Sequence, residues 1–217
     1  GHFPGRSQYG NQVRRAVLFI VQRTAQKKGY LGGDKSRLYG HAMCTIALAS
    51  AYGMMPNTAE NRQVGQALEA ALHVILEAQR QEAGTFAGGW HYEKVGKEAD
   101  LSVSTWQILA LRAALQCRLA VEPAVISAAQ DFVRRTWDGQ AQTYAYQPRG
   151  THSDAMRSAG ILCLNLLGDE PADRERINRA AKPLLSEEPR PGRNFYYTLF
   201  YQSLAASTLG GDHAAAF

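Results

Sequence analysis

Residues 86–113 read FAGGWHYEKVGKEADLSVSTWQILALRA, and this stretch decides how the rest of the chain is read. It joins a glycine-tight aromatic turn, Gly88-Gly89-Trp90-His91-Tyr92, to a polar helix start, Asp100 with Ser102 and Ser104. A helix rich in large apolar residues follows. Short polar side chains accept hydrogen bonds from the free amides of a helix's first turn, so this order of events marks a helix entrance. Weaker versions recur at Gly29-Tyr30-Leu31-Gly32-Gly33, Thr143-Tyr144-Ala145-Tyr146 and Asn194-Phe195-Tyr196-Tyr197.

Working outward, hydrophobic periodicity divides the chain into eight helical segments. The first, 11–26, places Val13, Val17, Ile20, Val21 and Thr24 on one face and stops at Lys27-Lys28-Gly29. The second, 36–52, is small and apolar almost all round, which predicts burial on two sides. The third follows Asn57, with Thr58 or Asn61 expected as its cap, and sets Val64, Leu68, Ala71, Leu72 and Ile75 against a polar face. The helix over 101–117 is again apolar on most sides.

The fifth segment begins near Pro123 and is two-faced, with Ile126, Ala129, Phe132 and Val133 inward. The sixth, 153–167, is mostly apolar. The seventh starts after Pro171 and is expected to kink or end at Pro183; the eighth, 194–209, ends at Gly210-Gly211. Strand-like alternation is confined to short pieces such as 142–146. The pattern is eight helices in four hairpins, each pairing an amphipathic helix with a nearly apolar one.

Laid over one another, the apolar helices align Ile46, Ile108, Ile161 and Ser203, with Gly53, Leu115, Gly168 and Gly210 seven residues later. The spacings of 62, 53 and 42 residues are uneven, so the repeat is a helical hairpin with variable loops. Such a unit buries both faces only by stacking on neighbours. An open superhelix leaves the apolar helices half exposed, whereas a ring encloses them. The fold class expected is therefore all-α, an α/α toroid with inner apolar and outer amphipathic helices, in one domain spanning 1–217. Residues 1–10 are expected to be a flexible lead-in, with Gly1-His2 resembling a tag remnant.

With 45% hydrophobic and 20% charged residues, the chain can bury a sizeable core. Its net charge is +5, but Lys and Arg run no longer than pairs such as Lys27-Lys28 and Arg134-Arg135. Nucleic-acid binding, which needs a dense basic stripe, is not expected. Cys44, Cys117 and Cys163 are an odd count with no close pair, and read as buried, inert thiols. His41 and Cys44 stand three apart on a helix with no further ligand nearby, so no metal is expected. No apolar run is long enough to span a membrane, and no cofactor is implied.

Gly88-Gly89-Trp90, Gln79 on the preceding helix and the helix beginning at Leu101 resemble the prenyltransferase and squalene-cyclase repeat, whose members form α/α toroids. The tail from Phe195 to Leu209-Gly210-Gly211 is similar to the closing repeat of bacterial proteins of that group. Four hairpins are fewer than close the rings of those families, which implies an open ring, self-association or a neighbouring domain of a larger chain. Cyclases of the group protonate an alkene with an Asp-x-Asp-Asp motif. This chain has none; the nearest sequences are Asp100-Leu-Ser-Val and Asp154-Ala-Met-Arg. The zinc ligands of the protein prenyltransferases, an Asp-x-Cys and a distant His, are also absent.

Within a toroid the inner helix starts share one rim. Asp100 and Asp154 are the candidate catalytic carboxylates, although both also suit helix capping. His41, Trp90, His91, Tyr92, Ser102, Trp106, His152, Arg157, Tyr197 and Tyr201 are the candidate ligand-binding set, lining the mouth of an apolar cleft. The resemblance implies an isoprenoid-like lipid, or a partner, as occupant. Two alternatives stand beside it: an isoprenoid cyclase or transferase using Asp100 as an atypical acid, and a polysaccharide lyase or hydrolase built on the same ring.

Overall fold

The structure, a computed structural model, describes residues 2–168, 170–186 and 194–215. Among the described residues it is all-α apart from a hairpin of two two-residue strands. Helices α1 (Gly10–Gln26), α2 (Arg37–Ala51), α3 (Thr58–Ala78), α4 (Leu101–Gln116) and α5 (Pro123–Arg135) lead to strands β1 (Trp137–Asp138) and β2 (Thr143–Tyr144). Helices α6 (Asp154–Leu167), α7 (Pro171–Ser186), α8 (Phe195–Leu209) and the short α9 (Gly211–Ala215) complete the chain. The helices fall into two compact units, and the division passes through α4 between Thr105 and Trp106.

The first unit comprises Gly1–Gln79, His91–Gly96 and Trp106–Glu122. Its helices α1, α2 and α3 pack on one another, as their apolar faces demand. Val17, Leu48, Ala49, Met55, Val64, Leu68 and Ala71 form the core. Small residues on α2 and α3 let the helices approach closely. Gly29, with φ of +90°, ends α1 where a Cβ would stand 2.5 Å from the Ala70 carbonyl oxygen, so only glycine fits. The Arg14 Nε donates to Glu60 Oε2 at 2.8 Å and ties α1 to the start of α3.

The cap of α3 is neither Thr58 nor Asn61. Asn57, extended at φ −137° and ψ 158°, accepts from the Glu60 amide at 2.9 Å. Asn61 instead accepts from the Gly53 amide at 2.6 Å, which fixes the preceding loop. The capping residue must lie outside the helix, and Thr58 is already its first residue.

The second unit comprises Arg80–Trp90, Lys97–Thr105 and Pro123–Phe217. Helix α6 is its axis, packed on α5, α7 and α8. Nine of its residues, including Ile161, Leu162, Cys163 and Leu164, are buried, as expected of a helix apolar on all sides. A Cβ on Gly160 would stand 2.1 Å from the Tyr144 ring, so the glycine makes room for that side chain. The strand signal at 142–146 is β2, and its partner β1 pairs Trp137 with Tyr144 and Asp138 with Thr143. Helix α7 continues through Pro183 to Ser186.

Asp173, only 1% exposed, is the polar anchor of this unit. It takes an ion pair from Arg134 Nη2 at 2.7 Å and another from Arg176 Nη1 at 2.6 Å. The bond to Asp173 holds the Arg134 guanidinium well above its ordinary pKa. Removing one partner of such a buried group costs more than the pair contributes.

Candidate functional site: the aromatic turn and the helix start

In the second unit, the turn that opens α4 is built on backbone pairing between its two glycines and Arg80. The Arg80 amide donates to Gly89 O at 2.9 Å and the Gly88 amide donates to Arg80 O at 2.7 Å. Gly88, at φ +80°, comes so near the Ala128 carbonyl that a Cβ would be 2.0 Å from its oxygen. A Cβ on Gly89 would fall 2.8 Å from the Phe132 ring. The double glycine therefore exists to bring the turn onto α5, and Trp90 follows it into full burial.

From there the polar start of α4 locks back onto the turn. The Asp100 amide donates to Trp90 O at 2.9 Å, and the Trp90 amide donates to Ser104 Oγ at 2.9 Å. Asp100, fully buried, accepts at Oδ1 from the Val103 amide at 2.9 Å and from Ser102 Oγ at 2.5 Å. That is the geometry of a helix cap. The Tyr201 hydroxyl reaches the Ser102 carbonyl at 3.5 Å, and the Tyr197 ring meets Tyr201 edge-on with centroids 4.9 Å apart. Trp90, Asp100, Ser102, Tyr197 and Tyr201 are thus brought together.

His152, Asp154 and Arg157 form a separate, more solvent-facing set in the same unit. His152 Nε2 lies 3.2 Å from Asp138 Oδ2. Arg157 pairs with Asp154 at 2.8 Å, one turn away, with the Asp154 side chain 44% exposed. The cap of α6 is Ser153, whose Oγ accepts from the Met156 amide at 3.2 Å, so Asp154 is left to complement the helix dipole.

The remaining candidates belong to the first unit. Tyr39 stacks at a tilt on Tyr92 and on Trp106, with centroids 5.6 and 6.3 Å apart, and His91 meets Tyr92 edge-on at 5.1 Å. Tyr39 was not among the expected site residues. Its signal was an aromatic in the first turn of α2, hidden because the helix reads as uniformly apolar. His41 is fully buried. Its Nδ1 accepts from the Leu31 amide at 3.2 Å, which leaves Nε2 to donate to Ala71 O at 3.0 Å. Burial lowers its pKa from 6.5 to about 4, so the imidazole is neutral.

The same latch occurs once in each unit. The Leu38 amide, at the start of α2, donates to the carbonyl of Tyr92 at 3.1 Å. The Leu101 amide, at the start of α4, donates to the carbonyl of Tyr146 at 2.8 Å. In both, a helix start is closed by an aromatic residue from the turn that opens the next apolar helix. His41 toward Leu31 and Ser104 toward Trp90 repeat the second half of the arrangement. These bonds align Leu38 with Leu101 and His41 with Ser104, one residue away from the alignment of Ile46 with Ile108. A helix apolar all round has no face to fix register by hydrophobicity, so the polar bonds decide it.

The three thiols are protonated, each with its pKa raised by burial, that of Cys163 to about 12. Cys163 lies 3.4 Å from Thr105 Oγ1 and Cys117 3.4 Å from Ala49 O. Neither is placed as a nucleophile. Compared with protein-family models, curated proteins and solved structures, the chain matches none.

Proposed function

We propose that the chain is a prenyltransferase- or squalene-cyclase-like repeat domain, an α/α toroid or part of one. In this reading it holds an isoprenoid-like apolar ligand in a central cleft without catalysing its reaction. The observation that carries the reading is the recurring latch, Leu38 to Tyr92 and Leu101 to Tyr146. It gives successive apolar helices the same entrance, as a hairpin repeat requires. The non-catalytic part rests on Asp100, whose Oδ1 is engaged in capping α4, and on Asp154, whose carboxylate is paired with Arg157.

Native mass spectrometry of the purified protein tests the binding claim, with an apolar adduct of defined mass expected. Incubation with squalene or with a prenyl diphosphate tests the rest, with no cyclised or transferred product expected. A product would overturn the non-catalytic assignment. Absence of an adduct, together with no binding of added isoprenoids, would overturn the ligand.

A further inference from the structure

The positive charge of this protein is gathered at one end of the sequence. Residues 2–33 contain Arg6, Arg14, Arg15, Arg23, Lys27 and Lys28 and no Asp or Glu. Six cations without an anion exceed the whole chain's net charge of +5, so the remainder is close to neutral. Folding concentrates five of the six on α1 and the turn that ends it. Arg14 is engaged by Glu60. Arg15, Arg23, Lys27 and Lys28 are exposed, and Arg15, Lys27 and Lys28 form no ion pair among the described residues.

The face these cations frame carries one large apolar side chain among polar ones. Gln12, Arg15, Phe19, Gln22 and Gln26, spaced three and four apart, point away from the core side marked by Val17 and Thr24. Phe19, at their centre, is 63% exposed. Beside it, α1 and α3 bound an open groove of about 620 Å3 floored by Leu18, Val21, Ala25, Ala67 and Ala70, with Lys28 at its edge. No acidic side chain lines that groove.

We propose that α1 is the docking face for an anionic lipid surface, lying in its plane with Phe19 inserted and an acyl chain taken up by the α1–α3 groove. A basic helix carrying an exposed aromatic is attracted by negative headgroups and held by the apolar side chain. No helix among the described residues is long and apolar enough to cross a membrane, so the contact is peripheral. A second copy is a poor occupant, because a two-fold contact centred on Phe19 would set the cations of one α1 against those of the other. This inference is independent of the apolar cleft proposed above.

Co-sedimentation of the full chain with vesicles tests it. One set is phosphatidylcholine alone, the other phosphatidylcholine with phosphatidylserine in a three-to-one ratio. Binding only to the second set is expected, weakening as salt is raised. Each surface cation near anionic lipid contributes about a fivefold change in partitioning, so R15A/K27A should bind about 25-fold more weakly. F19S should lose about tenfold, with unchanged circular dichroism in both variants. Binding indifferent to these substitutions, or to phosphatidylserine, would overturn the proposal. So would a concentration-dependent dimer abolished by F19S, or capture of an oligonucleotide with no capture of vesicles.

Discussion

His41 shows what residue type alone conceals. As a histidine near the start of an apolar helix it is a candidate for the mouth of a cleft, yet both ring nitrogens are spent on Leu31 and Ala71. The same burial makes it a stability switch. Its folded pKa lies near 4 against an ordinary 6.5, so above pH 6.5 both folded and unfolded chains hold it neutral and the full stability is present. Below that, the unfolded chain takes a proton that the folded one refuses, and stability falls until pH is about 4. The loss across the window is roughly 3 kcal/mol. Urea midpoints followed from pH 7 to 4 should show that slope, and His41→Gln should flatten it. Asp100 poses the converse question, since its position was legible but its hydrogen-bond capacity was not. Asp100→Asn keeps the acceptor and should cost less than about 1 kcal/mol. Asp100→Ala strands the Val103 amide and the Ser102 hydroxyl and should cost about 2–3 kcal/mol. Equal losses for the two variants in denaturant would show that the cap is not what Asp100 contributes.

Helices α1, α2, α4, α6 and α8 were legible to within a residue or two, because an apolar stripe, a polar entrance and a glycine exit are each local signals. By contrast, α7 runs three residues past Pro183 and the short α9 carried no such signal. β1 and Gly160, also missed, depend on partners outside the element itself. β1 is two residues long and exists through its pairing with β2, and no periodicity can declare so short a strand. Gly160 is an interior helix glycine whose purpose is visible only beside Tyr144. There the element scale makes a signed prediction. Gly160→Ala drives a methyl into the Tyr144 ring and should cost about 1–3 kcal/mol through overpacking. With Tyr144→Val already in place the clash is gone. The same Gly160→Ala change should then be neutral or stabilising by up to about 1 kcal/mol, from helix propensity. Thermal unfolding of the four proteins closes the cycle. If the alanine costs as much in the Tyr144→Val background, the glycine is there for another reason.

At the scale of the whole molecule, the all-α class was readable, but burial does not simply follow the two helix types: α6 is buried along most of its length and α1 on one side, while the apolar α8 buries four residues and the two-faced α3 nine. The division of the chain was not readable, because it does not follow the sequence. The boundary falls at Gln79, Trp90, Gly96, Thr105 and Glu122, so each unit is assembled from three separated segments. Neither can therefore be cut out as a continuous piece. Helix α4 runs unbroken across the boundary at Thr105, and opening it there would forfeit the hydrogen bonds of adjacent turns. Unfolding should then be a single cooperative event. Trp106 reports on the first unit and Trp137 on the second, so two single-tryptophan proteins, W90F/W137F and W90F/W106F, separate the signals. The transition midpoint and slope in urea followed by fluorescence should coincide, within each protein, with those followed by helical circular dichroism. Two displaced transitions, one for each tryptophan, would mean that α4 breaks between Thr105 and Trp106 before either unit melts.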